Sequence, residues 1–196
     1  VVALKDTKNY SWTDSTSAPR LYSFMIENSI FDVDPIVQVS DVNLETTPGH
    51  LATFNVKVIG NVFKYWITCD SCPELNTDTM PIENNTLSSL NVYVPEDVKP
   101  GIYDITVNFM SGTLVKSQIV KMKVNYPASN IYIVWDDVLT VDNTSGLFKT
   151  YQWYKDGVLI PGATKQYYQE SKGLDGYYTC LVNGELYVGP AFFHVD

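Results

Sequence analysis

Tyr151-Gln152-Trp153-Tyr154-Lys155-Asp156-Gly157 and, further on, Gly176-Tyr177-Tyr178-Thr179-Cys180 decide how this chain folds. A tryptophan inside a short aromatic strand is followed at once by Asp-Gly, the dipeptide that best tolerates the two positive φ angles of a tight hairpin. The Tyr-x-Cys run comes after a gap that suits a return across a second sheet. Trp153, Tyr178 and Cys180 therefore read as the packed centre of a two-layered β structure, and the aromatic residues around them as architecture.

Outward from this stretch the period-two signal recurs. Leu51–Ile59 places Phe54, Val56 and Val58 on one face, with Asn55 and Lys57 on the other. Val62–Thr68 follows the Gly60-Asn61 turn. Tyr103, Ile105, Val107 and Phe109 oppose Asp104, Thr106 and Asn108, and Val120, Met122 and Val124 oppose Lys121, Lys123 and Asn125. Such alternation predicts sheets with one buried and one wet face. Further strands are expected over Leu21–Ile26, Ile36–Val42, Leu90–Val94, Ile131–Trp135, Val138–Val141, Phe148–Tyr154, Val158–Ile160, Gln166–Gln169, Gly176–Val182 and Leu186–Phe193. Asp70–Ser88 reads as a long polar loop with at most a weak edge strand, a place where function often sits. Tyr126-Pro127-Ala128-Ser129-Asn130 breaks the series. The predicted organisation is an extended arm over 1–20, a β-sandwich over 21–126 and a smaller one over 127–196, joined by a limited hinge.

Composition excludes several functions. The chain has 196 residues, 13% of them aromatic, and a net charge of −9. That acidity opposes a phosphate backbone, so nucleic acid is not an expected partner. No apolar stretch approaches the roughly 18 residues of a membrane-spanning helix. The chain opens on Val1 without a charged-then-apolar leader and is expected to be a trimmed mature segment. No G-x-S-x-G or H-E-x-x-H pattern is present, and His50 and His194 fall in different predicted units, so neither a catalytic site nor a cofactor is expected.

The three cysteines leave alternatives open. Cys69-Asp70-Ser71-Cys72 reads first as a local disulfide. Free thiols, half of a zinc site or a redox dithiol compete with it, although one pair without nearby histidines is short of four zinc ligands. Cys180 is expected to be a buried free thiol. Asp32 with Asp34, Asp136 with Asp137, and Asp142 lack the spacing of a calcium loop and read as solvated turn residues. Tyr10, Trp12, Tyr22, Tyr65, Trp66 and Trp135 have no core role assigned by pattern. Of these, Trp12, Tyr65, Trp66 and Trp135 are the candidates for stacking on a ligand.

The run Tyr151–Thr164, with Gln166-Tyr167-Tyr168 and Asp175-Gly176-Tyr177-Tyr178, resembles the bacterial immunoglobulin-like modules that recur in surface and secreted proteins of Gram-negative gut anaerobes. The match covers the last third of the chain. Val94-Pro95 through Pro100-Gly101-Ile102-Tyr103 resembles fibronectin-III-like and related bacterial sandwich modules. These resemblances imply an all-β chain of two tandem antiparallel β-sandwich domains, the C-terminal one immunoglobulin-like. They imply an exported cell-surface, outer-membrane-associated or secreted protein. Its expected role is a non-catalytic adhesion, spacer or assembly module meeting other envelope proteins. The alternative is a carbohydrate-binding module meeting extracellular glycan, from a glycan-uptake or glycan-degrading system.

Trp153 then corresponds to the core tryptophan, and Tyr178 to a tyrosine corner whose hydroxyl bonds backbone. Three departures stand out. The first cysteine slot falls near Leu139 or Val141, so apolar contact must replace the inter-sheet disulfide. Leu174 stands where an acidic residue is usual, with Asp175 one position later. The unit is also small enough to need its neighbour to complete its core. Asp14-Ser15-Thr16 and Asp78-Thr79-Met80 are similar to the acceptor tripeptides that the same anaerobes glycosylate.

Overall fold

The computed structural model describes residues 34–40 and 42–195. The expected arm, the Leu21–Ile26 strand, Trp12 and Asp14-Ser15-Thr16 lie outside the described residues.

The first half holds β1 (Ile36–Val39), β2 (Asn43–Thr46), β3 (Leu51–Ile59), β4 (Val62–Thr68), β5 (Met80–Pro81), β6 (Leu87–Tyr93), β7 (Gly101–Ser111) and β8 (Leu114–Val124). They form a sheet ordered β1-β3-β6 and another ordered β2-β8-β7-β4-β5. Phe54, Val56 and Val58 from the first sheet, and Ile105, Val107, Phe109, Val120, Met122 and Val124 from the second, are fully buried in one cluster. Gly60 (φ 105°) and Asn61 (φ 42°) turn the chain between β3 and β4.

Three local features depart from simple alternation. β2 runs parallel to β8, whereas the expectation was of antiparallel pairing throughout. β1 lies on the edge of its sheet beside β3, and β2 on the edge of the other sheet beside β8. Asn108 was expected on the wet face. It lies buried instead, because β7 is flanked by β4 and β8, and its amide sits in a polar ladder. Its Nδ2 donates to Thr68 Oγ1 at 3.3 Å, and Ser117 Oγ donates to its Oδ1 at 2.7 Å. The Asp70–Ser88 loop is tied down at its start: a 3-10 turn over Pro73–Leu75 buries Leu75, and Cys69 N donates to Asn76 Oδ1 at 2.7 Å. The Pro-Gly-x-Tyr pattern also has a local cause, since Tyr103 OH donates to the Lys99 carbonyl at 2.6 Å and closes the turn before β7.

The second half holds β9 (Ile131–Trp135), β10 (Val138–Val141), β11 (Tyr151–Lys155), β12 (Val158–Leu159), β13 (Tyr167–Gln169), β14 (Asp175–Val182) and β15 (Leu186–His194). The two sheets are β13-β10-β9 and β12-β11-β14-β15. This is an immunoglobulin-like arrangement, with the core tryptophan on β11 and the corner tyrosine on β14. Asp156 (φ 49°) and Gly157 (φ 78°) give the β11–β12 turn the two positive φ angles of type I′, as do Asn183 (φ 53°) and Gly184 (φ 74°) between β14 and β15. Trp153, Tyr178 and Cys180 are fully buried, together with Leu139, Val141 and Leu174. Apolar side chains thus fill the inter-sheet space around Cys180. The Tyr178 hydroxyl accepts from Asp175 N at 3.4 Å.

The connecting residues are paired along β15. Tyr126 N donates to Tyr187 O at 2.8 Å, Gly189 N donates to Tyr126 O at 3.3 Å, and Asn125 Oδ1 accepts from Tyr187 N at 2.9 Å. The Tyr126 ring meets Phe148 edge-on at 4.8 Å and packs against the second core. Tyr126, at the end of the strand series, therefore helps to complete the core that follows it.

Trp153→Ala removes the largest fully buried side chain among the described residues. It is expected to cost about 3–5 kcal/mol, read as a lower denaturation midpoint in urea. An unchanged midpoint would contradict the packing described here.

Candidate functional site

The outer face of the β13-β10-β9 sheet is built from the core outward. Trp153 Nε1 donates to the Lys165 carbonyl at 2.9 Å, and Trp153 N donates to Ala163 O at 3.0 Å. The loop leading into β13 is therefore fastened to the central tryptophan. The Tyr168 ring lies 6.2 Å from the Trp153 ring and 6.0 Å from that of Tyr178, so Tyr168 faces the core. Strand alternation then sends Tyr167 and Gln169 outward.

Register sets what stands beside them. Thr140 of β10 pairs with Tyr167 on one side and Tyr132 on the other; Val138 pairs with Gln169 and Trp135. The β9–β10 register shifts between Val138 and Leu139, leaving Val134 as an extra residue on β9. Such bulges bend an edge strand and re-aim its side chains. Tyr132, Ile133, Val134 and Trp135 are all exposed, Trp135 to 69%.

The result is an open groove of about 520 Å³ lined by Val134, Trp135, Val138, Thr140, Tyr167 and Gln169. Val138 is only 6% exposed yet lies outside the second apolar cluster. It is the floor of this groove. The rim is polar. Gln169 Nε2 donates to Asp137 Oδ2 at 2.7 Å, and Lys165 Nζ lies 3.2 Å from Tyr167 OH and 5.3 Å from that ring's centre. Glu170 N donates to Asp137 O at 2.8 Å, which holds the β9–β10 turn against the end of β13.

The sequence candidates separate on this structure. Trp135 stands exposed in the groove. Tyr65 does not act as a platform: it is 6% exposed, its hydroxyl donates to Met80 Sδ at 3.5 Å, and burial raises its pKa. The cause is a register shift between Val62 and Lys64, which inverts the alternation of β4 and turns Tyr65 inward. Trp66, on the opposite side of that strand, is half-buried and lines a different shallow groove with Lys64, Thr77, Asp78, Thr79 and Met110. Thr79 of the acceptor-like tripeptide is exposed there. Tyr132 and Tyr167 had no place among the stacking candidates. Only the cross-strand register, invisible in a linear pattern, brings Tyr167 to Trp135. The inward Tyr168 of the Gln166-Tyr167-Tyr168 run was the one clue that its neighbour faces out.

The expected Cys69–Cys72 disulfide is not formed; all three cysteines are free and buried. The turn between Cys69 and Cys72 gives each sulfur its own partner. Cys69 Sγ lies 3.5 Å from Ser71 Oγ, and Cys72 Sγ donates to Glu74 Oε2 at 3.3 Å. Among the described residues no three His, Cys, Asp or Glu side chains gather as metal ligands. Among them, too, no helix is long and apolar enough to cross a membrane.

No family model matches the chain, and no curated protein matches it. Solved structures overlap it at low identity. The human OSCAR ligand-binding domain is 10% identical, with a TM-score of 0.34 over 83% of this chain and 97% of that one. The structure of Dpr2 Ig1-Ig2 in complex with DIP-Theta Ig1-Ig3 gives 12% identity and a TM-score of 0.31, over 83% and 99%. A Bacteroides ovatus mixed-linkage glucan utilization locus protein, SGBP-B, in complex with a mixed-linkage heptasaccharide, gives 16% identity and a TM-score of 0.25 over 76% and 40%. These overlaps carry nothing about function.

Burial, then the hydrogen bond and charge of Glu74, push the Cys72 thiol up to about 11; burial pushes Cys180 up to about 12. Unfolded, both titrate near 9.0. The folded protein thus keeps protons that the unfolded chain releases. Their contribution to stability is complete below pH 9 and declines as pH rises from there through about 11 and 12. Urea midpoints across that range should fall, and fall less steeply in Cys180→Ala. At pH 8 the native protein should react sluggishly with a thiol reagent, and the unreduced, denatured chain should yield all three thiols. A yield of one would restore the disulfide.

Proposed function

We propose that this chain is a non-catalytic binding module of an exported, cell-surface protein, of adhesion type, which engages its partner through the outer face of the β13-β10-β9 sheet. One observation carries the proposal: Trp135, 69% exposed, lines the same groove as its cross-strand neighbour Val138, a side chain that is buried without belonging to either apolar cluster. A large aromatic held open on a rigid strand offers contact area at low entropic cost, which is how binding surfaces use tryptophan and tyrosine. Contiguous exposed apolar patches rimmed by polar residues mark interaction sites or ligand-binding grooves. The pairing of Asn125 and Tyr126 along β15 supports an assembly or spacer role as well, since it braces the connection between the two halves.

The test compares wild type with Trp135→Ala on immobilised extracellular-matrix proteins and polysaccharides. Because Trp135 contributes little to either core, the variant should unfold within about 0.5 kcal/mol of wild type. Every ligand that wild type retains through this face should bind at least about tenfold more weakly, a loss of about 1.4 kcal/mol. Unaltered retention of all of them would overturn the assignment of this face. Protease accessibility of the chain on intact cells checks the location; protection equal to that of a cytoplasmic marker would contradict it.

A further inference from the structure

Resting on that assignment, we infer that the groove takes a sugar residue of a neutral polysaccharide, stacked on the Trp135 indole with Tyr167 as the opposite wall. Val138 and Thr140 are the floor.

The dimensions come from the strands. Trp135 on β9 and Tyr167 on β13 are separated by the single strand β10, so their backbones stand roughly 10 Å apart across the strands, two inter-strand spacings, with an offset of two residues (Val138 to Thr140), roughly 7 Å, along the sheet. Side chains rise about perpendicular to a sheet, so two aromatic walls flank a floor made of one Val and one Thr. A flat ring with apolar C–H faces and polar edges fits between them. A pyranose ring whose hydroxyls lie equatorially has that form: its axial C–H bonds meet the π face, and its hydroxyls point to the rim.

The rim supplies matching hydrogen-bond chemistry. Asp137 and Gln169 are joined by a single bond, Nε2 to Oδ2 at 2.7 Å. No described residue takes the other Asp137 oxygen, Gln169 Oε1 or the second amide N–H. An ionised carboxylate only accepts, whereas an amide both donates and accepts. Together they suit two adjacent hydroxyls, one donating to Asp137 and the other accepting from Gln169. Thr140 adds a hydroxyl at the floor. The Trp135 indole N–H also has no partner among the described residues and can donate to a ring substituent.

Charge selects among glycans. Asp136 and Asp137 follow Trp135 directly, and the chain as a whole carries −9. Lys165, beside the groove, holds its ammonium 3.2 Å from the Tyr167 hydroxyl and over that ring. A uronic-acid polymer would bring carboxylates against Asp137, whereas a neutral chain brings none. An open groove that buries one sugar face gives weak binding per site, so a polymer with repeated sites suits it better than a monosaccharide.

Two other features compete less well. Tyr177 and Phe192 are exposed and meet as a tilted pair, 5.0 Å between ring centres and 54° between planes, so each covers part of the other. The shallow groove at Trp66 has no second aromatic wall.

Affinity gel electrophoresis tests the inference, with neutral β-glucan, galactomannan and xylan set against polygalacturonate and hyaluronan. Tryptophan-emission titrations with proline-rich and aromatic peptides run beside it. Wild type should be retarded by at least one neutral polysaccharide, with little dependence on salt. Trp135→Ala should lose at least about tenfold of that retardation, Tyr167→Ala and Gln169→Ala a smaller part, and Trp66→Ala none. Retardation by no neutral polysaccharide, or equal retardation of wild type and Trp135→Ala, overturns the inference. Salt-sensitive retardation by the acidic polymers alone, or peptide binding lost in Trp135→Ala, also overturns it while leaving the binding face in place. If Trp135→Ala matches wild type on every ligand, the binding face itself falls.

Discussion

The indole of Trp153 joins the two layers of the second sandwich and also fixes the face that lies behind one of them. Its ring is fully buried between β11 and the opposite sheet, and its one polar atom is spent on the Lys165 carbonyl. That bond fastens the strand-to-strand loop just before β13. The ring contact with Tyr168 then settles which way β13 faces. A slip of one residue in β13 would carry Tyr167 and Gln169 into the core and Tyr168 into water. Core packing and the outer aromatic groove are thus two sides of one constraint.

A second layer of fixation surrounds it. Glu170, at the end of β13, accepts from Tyr168 OH at 3.1 Å and pairs with Lys155 at 3.3 Å. Lys155 in turn lies 5.5 Å from the centre of the Tyr178 ring. Burial, then the hydrogen bond and charge of Glu170, push the Tyr168 hydroxyl up to about 12. Tyr168 therefore stays neutral and donates at any ordinary pH. The turn at Asp136-Asp137 is tied to the same strand end through Glu170 N and Gln169. Every wall of the groove leads back within a few bonds to Trp153 or Tyr178.

Much of this was legible in the sequence because buried faces leave a period of two. β3, β7 and β8 declare themselves through Phe54-Val56-Val58, Ile105-Val107-Phe109 and Val120-Met122-Val124, and the Asp156-Gly157 and Asn183-Gly184 hairpins through their turn chemistry. What alternation cannot show is a bulge or a register. The shift at Val62/Lys64 exchanged the faces of Tyr65 and Trp66. The shift at Val138/Leu139 leaves Val134 as an extra residue beside the exposed Trp135, while Ile131 at the start of β9 stays in the core. Tyr167 meets Trp135 only across β10, a relation between three separated segments. The cysteines mislead for a different reason: CxxC spacing permits a bridge but does not say where the turn aims each sulfur.

Exchange of the indole N–H protons, followed by NMR on the folded protein in heavy water, tests this constraint most directly. Trp153 Nε1–H, buried and bonded to Lys165 O, should persist as long as the slowest backbone amides, while Trp135 Nε1–H should be gone at once. Rapid loss of the Trp153 signal, or lasting protection of that of Trp135, would contradict the account.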